Sequence, residues 1–465
     1  MSDEEVQLEA RLEAQDVFEP PESFVEQANV ADPAIYDEFE EAGPEAWERA
    51  AELLDWESEW DEVLDDSDAP FYEWFTDGKL NASENCLDRH LADRGDEAAI
   101  EWIGELGEKR TYSYSELHRE VNEFAAALRD LGVEEDDVVT MYMPMVPELP
   151  IAMLACARIG APHSVVFAGF SADALATRME SADSEFLVTC DGYYRRGDAL
   201  DHVSKAREGL GEVDGEPTTV VVERLGEDAR ENGIADDEYV YAELVAENEG
   251  ASVEPVERDA EDMLFLMYTS GTTGKPKGVV CAHYNAVSVT KSINQCLGNT
   301  PDDIILNALP LAFDYGLYQI YLAFGSGASL VLEKSFLYPY QIVQRLVQEK
   351  VTGFPLVPTM AGMLLQMERL EQHDFSALRY ITNTAAALPV ASIQKLRRLF
   401  PDTKIFSMYG LTECKRVTWL PPEYLDSKPT SVGLAIPNTE ACVVDETGAE
   451  LGPGEVGELL VRGSH

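Results

Sequence analysis

The chain has 465 residues, with 34 Lys and Arg against 88 Asp and Glu, a formal charge of −54. Its 45% apolar content is ample for a packed core, and the length suggests about three structural units. A surface this acidic repels phosphate backbones and anionic headgroups, which excludes nucleic acid or membrane binding through a broad basic face, and it suits a cytosol held at very high salt.

The seven cysteines are scattered and form no Cys-x-x-Cys pair, so neither a zinc site nor a disulfide framework is indicated. The opening Met-Ser-Asp-Glu-Glu lacks the basic and apolar regions of a signal peptide, which points to a reduced, cytoplasmic protein. Residues 1–70 hold 25 acids and only Arg11 and Arg49 as bases, and read as an acidic wrapping arm. Trp47, Ala51 and Leu54 recur at helical spacing there, with Trp56, Trp60 and Trp74 as surface clamps.

From Thr111 strand-like and helical runs alternate. Ser115 is the expected N-cap of a helix that carries Leu117, Val121, Phe124, Leu128 and Leu131 on one face and stops at Gly132. A strand over 138–143, a helix over 148–159, a strand over 163–167, a helix over 172–181 and a strand over 186–190 follow. That order predicts right-handed β-α-β units around a buried parallel sheet. Residues 206–262 are charged and read as a peripheral excursion, and a second set of strands begins at Met263 and includes 304–309, 328–332, 380–382 and 404–408. The uncharged run from Tyr315 to Leu332 contains Gln319 and a Gly-Ser-Gly break, so it reads as helix, turn and strand rather than a membrane span.

Residues 268–280 read Tyr-Thr-Ser-Gly-Thr-Thr-Gly-Lys-Pro-Lys-Gly-Val-Val, directly after the apolar run from Met263. Glycines allow close backbone approach, hydroxyls donate, and Lys275 and Lys277 carry charge, which together describe a cradle for phosphate oxygens. It is not a Walker A loop, because Thr269 stands where a Gly is required and Pro276 replaces the magnesium-binding Ser or Thr. No acid occurs from Met263 to Pro301, where the overall frequency predicts about seven, so an anionic ligand fits this stretch.

Thr269 to Gly278 resembles the phosphate loop of the AMP-forming adenylating superfamily, which includes acyl-CoA synthetases, luciferases and peptide-synthetase adenylation domains. Other segments resemble its motifs in order: Tyr112 to Leu117, Ala157 to Ala161, Leu309 to Gly316, Tyr409-Gly-Leu-Thr-Glu413, and the start of a sixth at Gly457. Residues 71–205 resemble acetyl-CoA and propionyl-CoA synthetases in particular, through Phe75 to Asn81, Asn85 to Leu91 and Arg158 to Ser171.

The resemblance implies an α/β fold, the large N-terminal domain of the adenylate-forming enzymes, with two mostly parallel α/β subdomains packed face to face plus a small β-rich subdomain. On this chain that means an arm over 1–70, a first α/β subdomain on the CoA side over 71–262, a second with the phosphate loop and nucleotide site over 263–415, and the start of the β-rich part over 416–465. The implied reaction makes an acyl-adenylate from a carboxylic acid and ATP with Mg2+, then a CoA thioester. Thr412 contacts the α-phosphoryl group and Glu413 holds the metal; alone, such a Thr-Glu pair reads as a helix cap. Nucleotide contacts fall on Thr269, Ser270, Gly271, Thr272, Thr273, Gly274, Lys275, Lys277, Tyr409 and Gly410. The adenine wall is expected at Thr384, Ala385 and Ala386, where Thr384 and Ala385 replace the family's common glycines.

CoA contacts are expected at Gly169, Arg195 and Arg196, with Asp198 near where a Lys is common. Phe313, Gly410 and Leu356 are the expected acyl-pocket residues, and Asp314 reads as a helix N-cap in preference to a substrate-facing acid. Acetate enzymes carry a Trp in place of Gly410, so the resemblance implies an indole-sized space open to medium-chain or aryl acids, each buried methylene adding about 0.8 kcal/mol. The family's hinge acid and its small C-terminal domain with a catalytic Lys find no match in these residues. The two readings are therefore an acyl-CoA synthetase completed by a separate or missing C-terminal domain, and a nucleotide-binding fragment without full turnover.

Overall fold

The computed structural model describes residues 43, 45, 48–51, 54–68, 72–225, 233–269 and 276–463. The chain divides into two compact units, Met1–Leu53 and Leu54–His465. In the first, the described helix is Glu48–Ala51; Trp47 lies outside the described residues. In the second, Trp56, Trp60 and Phe75 form a mutual aromatic cluster with centroids 5.0–5.6 Å apart, and Trp74 joins through Phe75. No helix among the described residues is long and apolar enough to cross a membrane.

Two large sheets organise the second unit. Residues from both halves of the chain supply the nine-stranded sheet. In chain order its strands are β1 (Ala98–Ile103), β2 (Lys109–Ser113), β10 (Ile304–Asn307), β11 (Ser329–Glu333), β12 (Gly353–Leu356), β13 (Tyr380–Asn383), β14 (Lys404–Tyr409), β15 (Thr418–Leu420) and β16 (Leu434–Ala435). Their spatial order is β16-β15-β14-β13-β12-β10-β11-β1-β2, parallel in the middle and antiparallel at both edges. The seven-stranded sheet contains β3 (Val139–Met143), β4 (His163–Phe167), β5 (Phe186–Cys190), β6 (Thr218–Val222), β7 (Tyr239–Val240), β8 (Met263–Thr269) and β9 (Lys277–Ala282), in the order β7-β6-β5-β3-β4-β8-β9. Only β9 runs antiparallel there.

The predicted alternation holds, with three corrections. Strand pairing crosses residue 263: β8 and β9 complete the seven-stranded sheet, whereas β1 and β2 complete the other. The charged excursion conceals β6, whose five residues pair with β5 in parallel from Thr218↔Phe186 to Val222↔Cys190; its Thr-Thr-Val-Val-Val run is a β-branched strand signal. Past residue 416, β15 and β16 still extend the nine-stranded sheet, and the separate hairpin is β17 (Thr439–Val444) with β18 (Glu458–Gly463).

The sheets do not meet face to face. One core joins apolar residues of both with helices α1 (Tyr114–Asp130), α2 (Glu148–Ile159), α4 (His283–Leu297) and α5 (Asp314–Gly325), while α3 (Ala172–Ala182) packs in a separate cluster with β3 to β5. Every residue of α2 is buried, as expected of a helix that is apolar nearly all round. Its two charges are matched: Glu148 accepts two hydrogen bonds from Arg110 at 2.6 and 3.0 Å, and Arg158 donates two to Asp88 at 2.8 and 2.9 Å. Burial pushes the Asp88 carboxyl up, yet hydrogen bonds from His118 and Arg158 win and hold it at about 2. The N-cap of α1 is Ser113, not Ser115, because Ser113 and Glu116 form a reciprocal capping box.

Three histidines sit buried and neutral. Burial holds His163 and His283 down at about 3 and His202 at about 4, and neither ring nitrogen of His163 has a hydrogen-bond partner among the described residues. The unfolded chain protonates them near pH 6.5 while the folded chain does not. Stability is therefore full above that pH and falls as pH drops toward 4, by up to about 1.4 kcal/mol per pH unit for each histidine. Proton uptake on unfolding at pH 5, read from the pH dependence of urea midpoints, should fall by about one in His163→Leu.

Candidate active site

The carboxyl ends of strands from both sheets meet around a cavity of about 520 Å³ lined by Thr269, Lys277, Asp314, Tyr315, Thr384, Ala385, Gly410, Leu411, Thr412 and Glu413. Strand ends gather there because parallel strands release their connecting loops on one side. Residues from different sheets frame the space. Thr269 ends β8 and pairs with Lys277 at the start of β9; Ser270, Gly271, Thr272, Thr273, Gly274 and Lys275 lie outside the described residues. Tyr409 ends β14 and pairs with Thr418 of β15, which puts Thr412 and Glu413 in a hairpin turn rather than at a helix start.

Gly410 holds this turn closed. A Cβ there would lie 1.8 Å from the Lys415 carbonyl oxygen and 2.9 Å from the Arg416 Cα, so no side chain fits unless the backbone moves. This corrects the open-space reading: the direction a side chain at 410 would take is filled by main chain, while Gly410 lines the cavity with its backbone. Val417 N–H donates to Tyr409 C=O at 2.9 Å and Cys414 N–H to Leu411 C=O at 3.2 Å, which tie the turn down.

Asp314 is not a cap. The N-cap of α5 is Phe313, whose side chain makes no capping bond, and Asp314 is the first helical residue with its carboxylate on the cavity. Arg416, buried at 3% exposure, stands behind it with a guanidinium 3.7 Å from the carboxylate and 4.5 Å from the centre of the Tyr315 ring. Tyr315 donates to the Thr382 carbonyl at 2.9 Å and exchanges a 2.7 Å bond with its hydroxyl, and burial first of all lifts the phenol to about 12. Gly316 lets the helix approach Pro310, whose carbonyl would lie 2.2 Å from a Cβ.

Ala385 takes a left-handed φ of +68°, a conformation natural to glycine. Thr384 is buried, lines the cavity, and leaves Oγ1 without a partner among the described residues; such a group is a ready ligand contact. Ala386 only accepts from Asn383 Nδ2 at 3.0 Å, and half-buried Tyr409 stands just outside the lining. Leu356 is fully buried in the core beneath β12 and does not reach the cavity. Phe313, 44% exposed, stacks near Phe167 and Phe170 at 5.7 and 6.5 Å, which places it beside the Gly169 turn. Arg195 and Arg196 are exposed at the tip of the hairpin 192–201, where Arg196 has φ +57°. No contact joins them to Gly169 among the described residues. The cations that do flank that turn are Lys205, which donates to the Ala168 carbonyl at 3.4 Å, and Arg178, 4.8 Å over the Phe170 ring; both went unread in the sequence because lone bases on helices carry no motif.

The donor set suits a nucleotide with magnesium. Glu413 is an exposed carboxylate on the cavity with no ion pair, and no group of three or more His, Cys, Asp or Glu gathers among the described residues. One carboxylate with substrate phosphates is how Mg2+ is usually held.

Comparison with known proteins agrees. The AMP-binding enzyme family matches residues 87–465, and the acetyl-coenzyme A synthetase N-terminus matches residues 33–86. The chain belongs to the AMP-binding enzyme family. It is an AMP-forming acid–thiol ligase of the acyl-CoA synthetase group, which works with ATP, Mg2+ and CoA. It is 36% identical over 461 residues to an acetyl-coenzyme A synthetase of Rubrobacter xylanophilus, covering 96% of this chain and 70% of that one. Over 477 residues it is 35% identical to one of Thiobacillus denitrificans, at 98% and 72% coverage. Over 432 residues it is 35% identical to a 3-hydroxypropionyl-coenzyme A synthetase of Sulfurisphaera tokodaii, at 89% and 65% coverage.

Because main chain fills the side-chain direction at Gly410, Gly410→Trp should not retune acid length. It should lower thermal stability by at least about 3 kcal/mol and abolish nucleotide binding, read by calorimetry and by AMP titration.

Proposed function

We propose that the cavity is where this chain activates a short carboxylic acid with ATP, the acid's oxygen attacking the α-phosphorus as pyrophosphate leaves, before CoA thiolate displaces AMP. The observation that carries the reading is the convergence on one cavity of Thr269 and Lys277, from the paired ends of β8 and β9, with Thr412 and Glu413 of the turn after β14.

In this reading the residues from Thr269 to Lys277 hold the β- and γ-phosphates, and Lys277 offsets charge on the leaving pyrophosphate. The Thr412 hydroxyl donates to an α-phosphoryl oxygen. Glu413 holds Mg2+, which neutralises phosphate charge when bound. The turn at Thr384, Ala385 and Ala386 forms one wall for adenine and Tyr409 the other. Phe313 and the Gly169 turn mark the approach for the thiol, with Arg195 and Arg196 available to CoA phosphates farther out.

A short acid is favoured because main chain fills the side-chain direction at Gly410 and the cavity lining includes polar Asp314 and Thr384. The names of the relatives point the same way, acetyl and 3-hydroxypropionyl. Completion of the thioester step by a further C-terminal domain is supported by the 70–72% of two relatives' length that this chain spans. The exposed Val456, Leu459 and Leu460 of the last hairpin would suit contact with such a domain. The charge of −54 supports a salt-rich cytoplasm as the working medium.

Acid-dependent ATP–pyrophosphate exchange in molar KCl, with the chain supplemented by a relative's C-terminal domain, tests the reading. Acetate, propionate and 3-hydroxypropionate should outrun hexanoate and benzoate; absence of exchange over the whole panel would overturn it. Glu413→Gln should lower magnesium-dependent exchange by about 100-fold or more and leave the melting temperature unchanged.

A further inference from the structure

Buried cations in this protein are generally matched by carboxylates. Arg158 meets Asp88, Arg258 meets Asp136 and Asp262, and Arg416 meets Asp314. Lys415 breaks the pattern. Its side chain is among the largest that are fully buried, at 2% exposure for the residue, and among the described residues no carboxylate pairs with it. Its ammonium sits 5.8 Å from the centre of the Phe265 ring and beside the Cys281 thiol, which it pulls down although burial outweighs it. A ring face and a neutral thiol offset little of the desolvation of an ammonium, which costs several kcal/mol.

The backbone adds a second cost. Lys415 has φ +53°, a left-handed conformation that disfavours any side chain, and its carbonyl occupies the direction a side chain at Gly410 would take. The ligand-free protein thus carries two unreturned costs at one residue, in a chain with 88 acids available to relieve the first. Phe265 shares a face of β8 with Met267 and Thr269, and Thr269 lines the cavity. Gly410 and Glu413, which line it as well, are in the same turn as Lys415.

We propose that Lys415 is a positioning residue for the nucleotide: a fixed positive charge beneath the cavity whose counter-ion is the phosphate of the bound ligand, which it attracts through the low-dielectric interior without touching it. With Asp314 and Arg416 offsetting each other and Glu413 set to hold the metal, Lys415 is the charge of this turn left for the phosphate. A unit charge about 10 Å away in an effective dielectric of about 20 changes affinity by about tenfold. Because Lys415 itself lies out of solvent, salt screens the effect less than it would a surface pair.

This inference rests on the nucleotide reading of the cavity, and a comparison of AMP with adenosine separates the two. Titration calorimetry of the full chain in molar KCl should give AMP binding about tenfold weaker in Lys415→Met, with adenosine unchanged within twofold and a melting temperature no lower than wild type. Cys281→Asp, which installs a counter-ion and leaves the lysine in place, should cost AMP the same and spare adenosine. Equal losses for both ligands, or no loss for AMP in either variant, would overturn the inference and leave the nucleotide site standing. Wild-type protein that binds neither ligand would overturn the nucleotide reading and this inference with it.

Discussion

The close approach of the Gly410 α-carbon to the Lys415 carbonyl is the constraint from which the site follows. It closes the turn between β14 and β15 tightly enough to bring Thr412 and Glu413 over the strand ends. It also drives Lys415 and Arg416 into the interior. Arg416 then finds Asp314 and the Tyr315 ring, and Tyr315 in turn bonds Thr382 at the end of β13. One backbone contact therefore registers β14, α5 and β13 against each other. A residue with a side chain at 410 would have to open the turn, and the order of the wall would go with it.

The second organising feature is the helical layer between the two sheets. Because α2 is buried along its whole length, its ionic residues must be satisfied from neighbouring elements, and Arg110 and Asp88 do so from β2 and from the segment preceding β1. These pairs fix direction as well as position, since bidentate geometry tolerates little rotation. The strand ends that form the cavity are thus held from below by matched charges and from the side by the turn after β14.

Much of this was readable in the residues. The strands and helices from 139 to 190 follow their apolar periodicity almost residue for residue, since each element is short, bounded by turn residues and packed on a buried sheet. Of the motifs at 269–277 and 409–413, Thr269, Lys277 and residues 410–413 line the cavity, and phosphate binding calls for such residue types at such spacing. What stayed hidden is non-local. Which sheet β8 joins depends on partners a hundred residues away, β6 was masked by the charged residues around its β-branched run, and the side-chain direction at Gly410 is filled by main chain five residues on. Leu356 looked like pocket lining on apolarity alone, and apolarity does not distinguish a wall from a core. Asp314 looked like a cap because Asp favours caps, but Arg416, distant in sequence, draws it elsewhere.

The crowding at Gly410 also restricts the order in which this site can change by mutation. Bulk introduced at 410 is blocked until the chain at 415 and 416 has moved, and that movement would disturb Asp314 and Tyr315 through Arg416. Substitutions at 410, 415 and 416 are therefore coupled, each one's effect reversed or magnified by the others. Leu411 and Thr384 border the same space without that dependence. A lineage drifting toward a different acid would find its first accessible steps there, with position 410 reachable only late and in company.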